Sequence, residues 1–409
     1  MIFNLKIKKL ISDIIYSFFS SALPVVVLQF VVQPMVSDRV GEELFGEILT
    51  IIGVVNIFLG MFGTPLNNTR LLEDGSYKEK GDFQIILYAS VAISIVLQYV
   101  CLALYGFKLD FLSHIILTLY NAFSIVVVYL AAELRIHLCY GKILISKVLQ
   151  TIGYCIGFGL FCLSDRWEYV FLFGSICELG YLLVFTNIWK EPFKRTSKMK
   201  GTLGRYSVLI LSTAMYLIIT YADRLIIYPN FGGNEVATYY SATIIGKAIT
   251  MITGPLGSVM LTYTAKMQQI NRKQYSMIVL FTAVAATVGF IVSQIMSKPL
   301  IGFLYPNTLP DALHYTPVTN ATCMVGLFYS FCWPVVLKFG GKGSPIVFAI
   351  VKIVGYLSIA FLGMKTYGIN SVCWGGFIAT LIQSALVVCL GYRICSRRDG
   401  FDNPGNFTK

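Results

Sequence analysis

Charge is what this chain has least of. Only 13% of its 409 residues are Asp, Glu, Lys or Arg, against about 25% in an ordinary soluble domain. A chain so poor in charge cannot clothe a water-facing surface, which excludes a soluble globular class. Histidine is almost missing as well: His114, His137 and His314 are scattered. No Cys/His set has metal-ligand spacing, and neither a phosphate-cradling glycine loop nor a nucleophile with a base beside it is present. We therefore expect no catalytic residue, no metal and no bound cofactor. The ten cysteines form no disulfide framework. Most of them, including Cys101, Cys155, Cys162, Cys177, Cys323, Cys332, Cys373 and Cys389, sit inside apolar runs and read as small buried side chains. Two glycosylation-type tripeptides, Asn67-Asn68-Thr69 and Asn320-Ala321-Thr322, are too short a pattern to carry weight.

What is there is apolar and periodic. Hydrophobic residues make up 56% of the sequence and mean hydropathy is +0.72. The apolar runs are roughly 18–25 residues long, the length that crosses about 30 Å of hydrocarbon as a helix. Spans are predicted near 14–36, 44–66, 83–105, 111–132, 145–163, 168–188, 207–228, 236–264, 275–296, 314–337, 344–364 and 369–391. Lys6, Lys8 and Lys9 precede the first run like a signal-peptide start. No convincing cleavage site follows, so we read an uncleaved first helix.

The net charge of +12 is a statement about orientation and not about nucleic acid. With alternate loops assigned to the cytoplasm from the N-terminus onward, that side receives twenty-four of the 32 Lys and Arg. The opposite side receives six, one per loop: Arg39, Lys108, Arg166, Arg224, Lys298 and Lys365. Lys247 and Lys352 remain inside spans. One missed helix would scramble every later loop, and the bias persists to the last. The expectation is an all-α polytopic membrane protein of twelve spans with N- and C-termini cytoplasmic.

The longest loop, Trp189 to Tyr206, divides the chain into halves, as in duplicated transporters. The expected layout is a six-helix bundle over 1–190, a basic cytoplasmic linker over 191–206, a second six-helix bundle over 207–395 and a cytoplasmic tail over 396–409. A short echo supports duplication. Asp38-Arg39 is followed by Gly41, Glu42, Glu43 and Phe45; Asp223-Arg224 is followed by Gly233, Glu235 and Tyr239.

This paired pattern resembles the polysaccharide-export branch of the multidrug/oligosaccharidyl-lipid/polysaccharide flippase superfamily. The stretch from Tyr221 to Ala242 carries most of the likeness, to the seventh-to-eighth helix turn of O-antigen and capsule repeat-unit flippases. The resemblance implies two bundles around a central cavity, alternating access, and an oligosaccharide substrate linked to undecaprenyl pyrophosphate. It implies a place in the bacterial inner membrane and in O-antigen, lipopolysaccharide or capsule biosynthesis, beside a polysaccharide polymerase and a chain-length regulator. Lipid II flippases resemble the plan too but carry two further C-terminal helices. The sequence stops after its twelfth predicted span, which speaks against that assignment.

Charges that break the apolar rule mark candidate sites, because a charge at a helix centre costs about 2.5–3.5 kcal/mol. Lys247 carries Tyr240, Thr243, Thr250 and Gly254 at helical spacing, a stripe suited to a wet cavity wall. Gly254-Pro255 is expected to break or bend that helix. Lys352 has Phe348, Gly355 and Tyr356 on its face. The two ammonium groups suit a pyrophosphate as point charges. Glu178 has three readings: a lysine partner, a site coupling transport to H⁺ or Na⁺, or a structural hydrogen-bonding group. Asp223 is a second cavity acid. Arg39, Arg70 and Arg224 are headgroup contacts, gates, or ordinary interface anchors, and Tyr240 and Tyr356 are candidate sugar contacts. Two other functions compete: a cation-coupled exporter of multidrug type, whose cationic substrates two cavity lysines would repel, and a membrane polysaccharide polymerase, whose long outer loop this sequence lacks.

Overall fold

The computed structural model describes residues 2–76, 80–266, 269–339 and 344–399. Lys78, Lys342 and Lys409 lie outside the described residues, as does the expected tail from residue 400 onward. The chain is all-α, and what it builds is a set of membrane-length rods. α1 (Ile2–Val27) continues through a π turn at Leu28–Val32 into α2 (Gln33–Val40), so that these three segments make one rod. Then follow α3 (Glu42–Glu73), α4 (Gly81–Tyr105), α5 (Phe111–Ile136), α6 (Tyr140–Ser164), α7 (Glu168–Phe185) and α8 (Met199–Phe231). After them come α9 (Gly233–Lys266), α10 (Arg272–Leu304), α11 (Leu309–Phe339), α12 (Ser344–Tyr367) and α13 (Ile369–Asp399). Among the described residues, eleven of the rods are long and apolar enough to cross a membrane. The twelfth is α9, a 34-residue helix. This is a multi-pass membrane protein.

The chain forms two compact units, residues 1–233 and 234–409. The division falls after α8 and not in the 191–206 stretch, because α8 packs along α3. Glycines explain that packing. A Cβ on Gly46 would sit 1.8 Å from the Gly233 carbonyl oxygen, one on Gly53 would press on Tyr221 and Arg224, and one on Gly60 would sit 2.8 Å from Leu217. These three glycines repeat every seven residues and make one face of α3. In hydrocarbon, where apolar burial drives nothing, such close approach is what holds helices together. Gly153 and Gly157 do the same for α6 against the backbone of α7 at Phe173 and Tyr169.

The linker is docked on the first unit. Asp82 accepts from the Thr196 backbone N–H at 2.7 Å and from its hydroxyl, and Gln84 donates to the Ile188 carbonyl. Gly81 lies against the backbone of Pro192 and Lys194, where no side chain would fit. Helix ends follow local rules. Asp110 caps α5 by accepting from Ser113 N–H at 2.9 Å, and Asn271 with Gln274 forms a capping box on α10.

In the second unit α11 and α12 pack on α13, and α10 on α11. The Tyr275 hydroxyl reaches the Val387 and Val388 carbonyls, and its ring covers Gly391. Two expectations need correction. α9 continues as a helix through Gly254 and Pro255 without the expected break, since a span can re-satisfy a proline-freed carbonyl locally. The residue matching Gly41 is Gly232 and not Gly233: these two have φ of +82° and +88° in extended-ψ backbone, a region open essentially to glycine alone.

Candidate functional site

In the first unit one of the buried charges is Glu178 on α7, and its partner is a lysine at the start of the predicted 145–163 span. Lys147 lies on α6, with Nζ 2.8 Å from Glu178 Oε1 and 3.0 Å from Oε2. Ser146 donates to the same carboxylate at 3.4 Å. Lys147 also donates to Gln150 Oε1 at 3.1 Å, and Gln150 donates to the Tyr154 hydroxyl at 3.0 Å. Glu178 is fully buried and Lys147 keeps 28% of its side chain exposed. Glu178 pairs with a lysine, although that lysine is not one of the two that the sequence singled out. Lys147, Gln150 and Tyr154 lie at helical offsets of three, four and seven. The rule that selected Lys247 would have selected Lys147 had it been applied there.

A second polar group lies where α3, α5 and α8 meet. The Tyr120 hydroxyl donates to Asn56 Oδ1 at 3.0 Å, and Tyr221 shares that asparagine. Arg224 lies over the Tyr221 ring, 5.5 Å from its centroid, and donates to the Leu49 carbonyl at 3.2 Å. Asp223, nearly buried, accepts from the Arg224 backbone N–H. The structure thus brings Asp223 and Arg224 into the packing of α8 on α3. Glu43 meets the neighbouring turn, accepting from Gly233 N–H at 3.0 Å.

Arg39 and Arg70 belong to the two ends of the unit. Arg39 pairs with Asp165 at 2.9 Å, donates to the Cys162 carbonyl and covers Phe161, fastening α2 to α6. Arg70 is 2% exposed. It pairs with Glu191 and Asp74 and lies over Phe83. Burial raises the Glu191 carboxyl above its ordinary range, against the opposing pull of Arg70. Lys80 joins through Asp74, and Glu73 holds Arg205 at 3.1 Å and Thr202 at 2.6 Å. Arg70 is thus part of a clasp between α3, the linker and α8, with its guanidinium over Phe83 and its two terminal nitrogens on Glu191.

In the second unit each of the two intramembrane lysines acts electrostatically on the same residue. Cys323 of α11 lies within electrostatic reach of both Lys247 on α9 and Lys352 on α12. The approach of α9 is close: a Cβ on Gly246 would meet Asn320 Oδ1 at 2.9 Å and Cys323 Sγ at 3.0 Å. Thr319 donates to the Ala242 carbonyl at 3.0 Å, and Asn320 donates to Ser297 at 3.1 Å. The expected polar stripe is partly turned inward. Thr243 and Thr250 return their hydroxyls to the carbonyls of Tyr240 and Lys247. Tyr240 is buried edge-on against Tyr305, and Tyr356 is buried too. Among the described residues, no three His, Cys, Asp or Glu side chains gather as metal ligands.

No protein-family model and no curated protein matches the chain. Solved structures do. One is an inward-facing multidrug resistance transporter of the MATE family in the MOP superfamily, with TM-score 0.69 and 11% identity over 94% of this chain and 99% of that one. Another is the lipid II flippase MurJ in an inward closed conformation, with TM-score 0.63 and 14% identity over 96% and 90%. A third is the Vibrio cholerae MATE transporter VcmN in its bent form, with TM-score 0.56 and 16% identity over 96% and 98%. At such identities the likeness is one of architecture, and the chain has the fold that these transporters and this flippase share.

Proposed function

We propose that this protein is a flippase that moves undecaprenyl-pyrophosphate-linked oligosaccharide repeat units across the bacterial inner membrane by alternating access. The observation that carries the reading is the presence of two lysines, Lys247 on α9 and Lys352 on α12, within the spans of one unit, each acting electrostatically on Cys323 of α11. Two ammonium groups held in a span repel a cation and suit a diphosphate. Glu178, held by Lys147 in the other unit, is the group we assign to H⁺ or Na⁺ coupling, since protonation or cation uptake would release Lys147. Export to the outer face feeds O-antigen or capsule assembly by a polymerase and its chain-length regulator.

Lys247→Ala and Lys352→Ala are each expected to abolish surface polysaccharide while the protein still inserts, read by immunoblot of the glycan and of the membrane fraction. Wild-type export in both would sink the reading. The second reading, cation-coupled export of small solutes, draws on the high structural similarity to a multidrug transporter. It predicts efflux of an organic cation such as ethidium that survives both lysine substitutions and leaves surface glycan unchanged.

A further inference from the structure

The first unit holds a polar cavity, separate from the Glu178 group. It measures about 380 Å³ and lies between the start of α5, the end of α6, the start of α7 and the first turns of α3. Charge distribution assigns this end to the outside of the membrane. That volume is within the range of small-molecule sites, about 300–1,000 Å³. The lining carries both signs: Glu47, Asp110, Asp165 (paired outward with Arg39) and Glu168 with Lys108 and Arg166, and Trp167 beside them.

Two of its charges are already committed to one another. Arg166 holds Asp110 through both nitrogens at 3.1 and 2.8 Å. Glu168 is different. It is 2% exposed, its Oε1 accepts from the Ser113 hydroxyl, and its Oε2 is buried with no hydrogen-bond partner. A buried carboxylate oxygen left without a donor costs about 1–3 kcal/mol or more, and the residue that carries it is one of those lining the cavity.

We propose that this cavity is a saccharide subsite at the outer end of the first unit, with Glu168 Oε2 as the acceptor for a sugar hydroxyl. The mixed lining selects the ligand class. A simple cation would meet Lys108 and Arg166, and a simple anion would meet Glu47 and Glu168. A neutral polyol both donates and accepts at each hydroxyl and satisfies both kinds of group. Trp167 supplies an apolar wall for the ring's C–H face. The subsite rests on the oligosaccharide reading and adds to it a holding point for the sugar after translocation.

The test uses the full chain in nanodiscs, with Trp189, Trp333 and Trp374 replaced by Phe so that Trp167 reports alone. The probes are neutral hexoses and N-acetylhexosamines, with a hexuronate and tetraphenylphosphonium as contrasts. Quenching by a neutral sugar is expected, weakened at least tenfold by Glu168→Gln and about threefold by Lys108→Ala, whose exposed side chain leaves folding intact. Saturation by tetraphenylphosphonium or the hexuronate in preference to any neutral sugar overturns the subsite, and so does the absence of quenching by all probes. Sugar binding that persists in Lys247→Ala/Lys352→Ala, in cells whose surface glycan ignores those substitutions, would keep the subsite and remove the flippase reading. Lysine-dependent export without sugar quenching would do the reverse.

Discussion

At the residue scale, the two kinds of intramembrane charge differ in what their surroundings ask of them. Glu178 is buried, and its compensation is Lys147. Removing one member of a buried pair leaves the other unpaired, which costs about 3–5 kcal/mol when both are enclosed. Lys147 is partly exposed, so Lys147→Ala is expected to cost somewhat less, about 2–3 kcal/mol. Lys147→Met combined with Glu178→Leu should recover most of that loss, because an apolar pair needs no compensation. Thermal unfolding of the purified protein in detergent decides it; equal stability of wild type and Lys147→Ala would show the pair to be dispensable. The sequence singled out Glu178 by its position in an apolar run and missed Lys147, because a lysine near a predicted span end reads as an orientation signal. Which lysine a buried acid meets is set by the packing of α6 on α7. That packing rests on Gly153 and Gly157, which admit the opposing backbone.

At the scale of elements, contacts between helices are made by missing side chains. Gly46→Ala would place a methyl 1.8 Å from the Gly233 carbonyl oxygen, and both are backbone positions that cannot rotate away. We expect destabilisation by about 1–3 kcal/mol or more. Gly159→Ala on α6, where no atom lies within 4 Å, should be neutral or stabilising by up to about 1 kcal/mol. A thermal shift of the same sign and size in both would refute the packing argument. The start of α5 offers a pH test. The Arg166 hydrogen bonds, with those from Ser113, hold the Asp110 carboxyl well below its ordinary range. A depressed carboxyl contributes stability above its unfolded value of about 4 and loses it as pH falls through the folded value. The ends of α5 and α7 should therefore stay protected from amide exchange well below pH 4, and Arg166→Gln should move the loss of protection upward in pH. An unmoved transition would show that the pair does not govern the starts of α5 and α7.

At the scale of the whole molecule, the cytoplasmic assignment of the linker has a direct check. A single cysteine at Lys194 should resist a membrane-impermeant thiol reagent in intact cells and react in inverted vesicles; labelling in intact cells would overturn the topology. Helix number was legible in the sequence because crossing hydrocarbon demands length and apolarity, both of which are written locally. Orientation expectations came from the same linear source, the uneven placement of Lys and Arg. The turn glycines were legible to within one residue, since only the backbone shows that Gly232 and not Gly233 has positive φ. Tertiary structure decided what no local pattern contains. It placed α8 with the first unit, joined Arg70 to Glu191 across 121 residues, and put Lys247 and Lys352 each within electrostatic reach of Cys323. It also left one oxygen of Glu168 without a donor. Hydropathy is a sum over neighbours in the chain, whereas pairing and cavities depend on side chains far apart in sequence, and the close approach of helices at their glycines brings those together.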